Sequence, residues 1–158
     1  MNLSELIAKT AEAEIGVHET SPNSGERIAT YQLCTWLPVG PWPWCAAFVD
    51  YCVAEAVAKF GKVTFPLPKT AGAWDLENWC RSVDNSVKLK KPHDGDIKRG
   101  DIIIFEFSHT GIALDSPKDG YVTTCEGNTN VSGSREGDGV YKKTRSISKI
   151  RSRIRFIG

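Results

Sequence analysis

The chain has 158 residues, 41% of them hydrophobic and 25% charged, with a formal net charge of +1. This length and ordinary globular composition predict one domain over residues 1–158 with its own core. They exclude a membrane span, because no apolar run approaches the roughly 20 residues one needs, and the near-neutral charge without a recognisable motif argues against nucleic-acid binding.

In chain order, "MNLSELIAKTAEAEIG" lacks the basic start and apolar core of a secretory signal. The chain is therefore expected to be made in a cytoplasm and kept there unless something else exports it. Asn2 and Glu5 fit a capping box, Leu3, Leu6, Ile7, Ala11 and Ile15 keep helical spacing, and Gly16 is a plausible stop. "HETSPNSGE" is loop, and a short helix is expected over about Glu26 to Cys34. The prolines and glycine of "TWLPVGPWP" forbid regular structure, and from Trp44 to about Phe60 the pattern is helical again. A further loop and a helix around "GAWDLENWC" follow, with Trp74 and Trp79 expected in the core. The second half reads as strands: "GDIIIFEF", "HTGIALD", "YVTTCEGN", "GVYKKTR" and "SRIRFIG". Helices first and a strand meander afterwards predict an α+β fold, with N-terminal helices packed on an antiparallel sheet of about five strands.

Charge is unevenly spread. The first 80 residues carry five Lys/Arg against nine Asp/Glu, and after Asp138 there are seven basic residues and no acid. In "KIRSRIRFIG", Arg151, Arg153 and Arg155 alternate with Ile150, Ile154 and Phe156, which predicts a half-buried strand whose basic outer face is a solvated edge or, as the alternative, a weak grip on an anionic polymer.

The cysteines are Cys34, Cys45, Cys52, Cys80 and Cys125, an odd number with no CxxC, which argues against a disulfide framework and a zinc knuckle. Cys45 and Cys52 lie about 10 Å apart along one helix, too far for a disulfide. Cys45 stands out because it starts a helix directly behind the rigid "PWPW". Unpaired N–H groups at a helix start favour a thiolate and can hold an oxyanion. A base must come from three histidines. His18 lies in a polar loop and His93 between charges in "KKPHDGD", whereas His109 opens a strand after an apolar one and is the best placed. Glu126 and Asn128 close the neighbouring strand and share a face if the chain stays extended there, with Cys125 pointing the other way into the core.

"PWCAAFVDYC", "GDIIIFEFSHTGIALD" and "CEGNTN" occur in the order and with the separations of three signature blocks, and through them the chain resembles CHAP domains. These are cysteine, histidine-dependent amidohydrolases/peptidases of the NlpC/P60 and papain-like group. The resemblance runs from about "NSGERIATYQ" to "YKKTR" and implies a papain-like fold and a peptidoglycan hydrolase, commonly a phage endolysin. It places the nucleophile on Cys45, the base on His109, the orienting acid on Glu126 and an accompanying asparagine on Asn128. Trp42 and Trp44 are the expected substrate-contacting side chains. Some relatives bind calcium through aspartates ahead of the cysteine, but residues 19 to 44 hold Glu19 and Glu26 and no aspartate, so no metal or other cofactor is expected.

The expected partner is peptidoglycan, with no nucleic acid and no stable membrane insertion, and the chain is expected to be monomeric with no separate wall-binding domain. It would reach the wall only after release through a separate pore. Amidase and endopeptidase activities share this constellation. The rival readings are a wall-binding module that no longer turns over, or a phage structural or tail component with the same fold. A zinc amidase is a poor fit, since "HETSP" lacks the second histidine of HExxH.

Overall fold

The computed structural model describes residues 1–83, 87–90, 95–129 and 137–157. Four helices, α1 (Leu3–Ala13), α2 (Glu26–Gln32), α3 (Cys45–Phe60) and α4 (Asp75–Ser82), precede the sheet strands. These are β1 (Val87–Lys90), β2 (Ile102–Phe105), β3 (Thr110–Ala113), β4 (Tyr121–Thr129), β5 (Gly139–Ser146) and β6 (Ile150–Phe156). All pairings are antiparallel, in the order β1-β6-β2-β3-β4-β5. The α+β architecture matches the sequence reading. The sixth strand is β1, whose four residues are too few to show a period.

Alternation along the strands divides the sheet into two buried faces. Ile102, Ile104, Ile112, Cys125 and Ile154 pack under the helices with Ile7, Phe48, Val49 and Leu76. Ile103, Phe105, Ala113, Val122 and Ile150 form a smaller cluster on the opposite face, covered by Phe107 and Ile147. "IIIF" is a continuous apolar run because β2 is covered on both sides.

Two local expectations change. Asn2 Oδ1 accepts the Glu5 N–H at 2.8 Å, but the Glu5 carboxylate turns to Arg99 Nε at 2.9 Å instead of reaching back, so only half the capping box forms. The basic strand β6 is not an edge, since it lies between β1 and β2. Its arginines are consumed by internal pairs: Arg151 with Glu77 at 3.0 Å, and Arg155 with Asp101 at 2.7 Å and Asp96 at 3.3 Å. Arg153 joins Asp96 at 3.2 Å. A one-dimensional charge pattern could not reveal acids brought in from α4 and the 95–101 turn.

Candidate active site

Helix α3 begins at Cys45 itself, and its N-terminus carries no side-chain cap hydrogen bond. The first turn therefore keeps unpaired N–H groups beside the thiol. The approach to Cys45 is held from behind. Trp44 is fully buried, stacked on Tyr31 with centroids 5.7 Å apart, and its Nε1 donates to Glu19 at 3.1 Å. This corrects the expectation for Trp44: a ring packed on Tyr31 offers no face to a substrate, and its work is to fix the start of α3. Trp42 is 41% exposed. Its indole Nε1 donates to the Pro38 carbonyl at 2.8 Å, and its ring lies so close to Gly40 that a Cβ there would approach within 2.6 Å. Buried Gln32 ties this loop down, donating to the Gly40 and Trp42 carbonyls at 2.8 and 3.2 Å.

Cys45 opens into a cleft of about 290 Å³. Thr35, Leu37, Trp42, Pro43, Ala71, Gly72 and Ala73 line it, as does Ser108, next to His109 in the chain. No charged side chain lines it among the described residues. Trp74, expected in the core, instead stands at the start of α4 and is 42% exposed, with its Nε1 donating to the Phe105 carbonyl at 3.0 Å and Arg151 over its ring at 4.6 Å.

His109 and Glu126 are both fully buried, and His109 Nε2 lies 2.8 Å from Glu126 Oε1. Nδ1 makes no hydrogen bond of ordinary geometry among the described residues. With Nε2 engaged by Glu126, it is the nitrogen left to serve Cys45, which lies near enough to act on the imidazole. Burial opposes the charged imidazole, but the Cys45 thiol and the Glu126 carboxylate together outweigh it and raise His109 to about 9. Burial likewise opposes the Glu126 carboxylate, and Arg145 with His109 outweighs it, lowering Glu126 to about 2. The structure thus brings Cys45 at the start of α3, His109 just ahead of β3 and Glu126 of β4 to one place.

Asn128 behaves differently. The ladder shifts register between Glu126 and Thr129, and Asn128 takes φ +56°, so the strand does not stay extended there. The Asn128 amide is buried with neither polar atom hydrogen-bonded among the described residues, and it makes no bond to His109. Next to it, a Cβ at Gly127 would stand 2.7 Å from Phe48 Cβ and 2.8 Å from Trp44, so only glycine lets β4 press onto α3. Cys125 points away from Glu126, buried among the helices as expected. Of the other histidines, His18 bonds the Gly16 carbonyl at 2.7 Å and the Tyr141 hydroxyl at 3.1 Å, and His93 lies outside the described residues. Among the described residues no three His, Cys, Asp or Glu side chains converge to hold a metal.

Several contributors are not singled out by the sequence. Thr124 Oγ1 and Arg145 both donate to Glu126, and Phe105 and Phe107 stack on His109. Thr124 is legible in principle, two positions before Glu126 on one strand face. Arg145 looks like any exposed basic residue of a strand. Asp50 is buried on α3 with neither carboxylate oxygen bonded among the described residues, and burial, followed by nearby Cys45, pushes its carboxyl well up.

Gly111 faces Glu126 across the β3–β4 pair, and a Cβ there would come within 2.5 Å of Glu126 Cγ. Gly111→Ala is expected to fold but to displace the carboxylate from His109. The expected cost in kcat is about 100-fold, checked by turnover together with thermal unfolding. Unchanged turnover would mean that the Glu126 position is not critical.

Comparisons with known proteins add two positive findings. The CHAP domain family model matches residues 29–128. The structure resembles that of the wild-type endolysin LysIME-EF1, with a TM-score of 0.58 and 15% sequence identity, over 98% of this chain and 64% of that one. At that identity the likeness is one of fold. The chain thus spans less than two thirds of that protein's length. No curated protein sequence matches the chain.

Proposed function

The chain belongs to the CHAP domain family, and from that premise we propose that it is a peptidoglycan hydrolase that cleaves an amide bond of the peptide stem or cross-link by cysteine acyl transfer. The observation that carries this reading is the buried His109–Glu126 pair beside a thiol at an uncapped helix start, opening into an uncharged cleft. An uncharged cleft suits a neutral peptide backbone better than an anionic headgroup.

In this reading the Cys45 sulfur attacks the amide carbonyl, its proton having passed to His109. The N–H groups of the first turn of α3 hold the oxyanion. The carbon–nitrogen bond breaks as His109 gives its proton to the leaving amine, and a thioester remains. Water then attacks the thioester with its proton going to His109, the carbon–sulfur bond breaks, and the thiol is restored. Glu126 orients the imidazole and balances its charge. Asn128, whose buried amide is unspent among the described residues, is the asparagine to which the family resemblance points and is proposed to assist.

The test is digestion of purified peptidoglycan by wild type and Cys45→Ser, with mass spectrometry of the fragments. New termini from wild type alone support the reading and identify the bond as amidase or endopeptidase. Release by both proteins overturns the role of Cys45. Binding without release favours the wall-binding module, a reading to which the exposure of Trp42 beside the cleft lends weight. Because Trp42 lines the cleft, Trp42→Ala is expected to raise KM several-fold with kcat nearly unchanged, and a kcat loss at constant KM would contradict a binding role.

The chain is proposed to act as a monomer on the wall after release from the cytoplasm in which it is made. Among the described residues, no helix is long and apolar enough to cross a membrane.

A further inference from the structure

Glu126 is held from more sides than a partner of His109 requires. Its Oε1 accepts from His109 Nε2 at 2.8 Å and from an Arg145 terminal nitrogen. Its Oε2 accepts from Arg145 Nε at 2.8 Å and from the Thr124 hydroxyl. Each oxygen thus takes two bonds, and the planar guanidinium spans both, a geometry that resists rotation of the carboxylate.

The same guanidinium covers two aromatic rings, with its carbon 5.2 Å from the centre of Phe105 and 5.3 Å from that of Phe107. Those rings form the wall on which His109 stacks, at 5.8 and 5.7 Å and interplanar angles of 22° and 12°. Arg145 therefore reaches the imidazole by two routes, through the carboxylate and through the rings. It stands on β5, opposite Val122 in the ladder and beyond the residues matched by the family model.

We infer that Arg145 is a positioning residue, which anchors the Glu126 carboxylate and the Phe105–Phe107 wall so that His109 is held in its working orientation toward Cys45. The inference rests on the proposed pairing of Cys45 with His109 and Glu126, and it adds a fourth residue that touches no substrate.

The charge of Arg145 makes this testable by more than loss of activity. Among the described residues, the titratable and charged groups that act on the pair from outside it are Cys45 from α3 and Arg145 from β5, while Cys125, next to Glu126 on β4, is itself held up by burial first and then by Glu126. Arg145 balances the Glu126 charge. Without it the bare carboxylate favours the imidazolium more strongly, so His109 should lose its proton at higher pH, while Glu126 should take one up at higher pH than before. The whole activity window then moves to the alkaline side. A merely structural arginine would lower the folded fraction and leave the titration of the folded molecules in place.

The experiment is an NMR titration of the full chain, with His109 resonances assigned by their loss in His109→Gln, alongside kcat and KM on peptidoglycan. In Arg145→Met the His109 titration is expected to rise by about one pH unit, and kcat is expected to fall about 10- to 100-fold with KM within about twofold. In Arg145→Lys the charge remains but one ammonium cannot span both oxygens. There the titration should stay near wild type while kcat still falls.

A His109 titration unmoved in folded Arg145→Met overturns the inference. If that variant does not fold, wild-type kcat in Arg145→Lys overturns it instead. The NMR arm needs no substrate, so a shifted titration without peptidoglycan cleavage would retire the proposed substrate and leave the role of Arg145 standing. Cleavage with an unmoved titration would do the reverse.

Discussion

Cys45→Ala is expected to lower peptidoglycan hydrolysis on the order of 10⁵-fold, leaving only what binding and the helix-start N–H groups supply. The protein should remain folded, because Cys45 is a small residue at a helix start that already opens to the cleft. A chemical counterpart separates Cys45 from the other thiols. All five are free. Cys52 and Cys125 are completely buried, and burial pushes both thiols up. Burial also pushes Cys80 up to about 11. Cys34 is more exposed, but burial and then nearby Asp50 raise it as well. Substoichiometric iodoacetamide should therefore label Cys45 first, and activity should fall in proportion to that label, as peptide mapping would read. Labelling of Cys45 with activity intact would remove the thiol from the mechanism.

Glu126→Gln should cost about 100-fold or more in kcat and move the pH profile in a signed direction. The imidazole is raised above its ordinary value of 6.5 to about 9. Its protonated form, which delivers the proton to the leaving amine, is therefore present below about pH 9 and lost as pH rises through that value. A neutral amide in place of the carboxylate cannot supply the negative charge, so burial regains weight and the alkaline limb should move down by about one unit or more.

Removing Glu126 and removing Arg145 thus displace the same limb in opposite directions, which no common unfolding effect would do. The Glu126→Gln change also leaves Arg145 without its main anion near the protein interior. Breaking such a pair costs about 3–5 kcal/mol, so the melting temperature should drop by on the order of 10 °C. A profile that stays in place, measured on folded protein, would show that His109 owes its proton to Cys45 alone.

The elements were mostly legible because each has a local cause. Apolar spacing and Asn2 specify α1, and the prolines of "TWLPVGPWP" confine α3 to start at the thiol. Turn residues such as those of "SPKDG" mark off β3 and β4, and the run "GVYKKTR" gives β5. The strand β1 escaped because four residues hold too little pattern, and its place beside β6 is set by a partner more than 60 residues away. For the same reason the basic face of β6 read as a solvated edge: Glu77, Asp96 and Asp101 reach its arginines only through the fold.

For the candidate site, residue types and order singled out Cys45, His109 and Glu126 as candidates, since a helix-start thiol, a strand-start histidine and an acid in the next strand are local features, and the family resemblance gave them their roles. Tertiary structure alone decided how those three meet and who supports them. Trp44 lost a role in substrate contact because burial against Tyr31 is invisible in "PWPW". Asn128 left the shared face where the β4–β5 register shifts and its own backbone turns to φ +56°, beside a glycine pressed onto Phe48. Arg145 became the anchor of Glu126 because the β4–β5 ladder carries its long side chain back along the sheet. Sequence patterns report each residue's neighbours along the chain, whereas charge balance, stacking and close approach depend on neighbours across it.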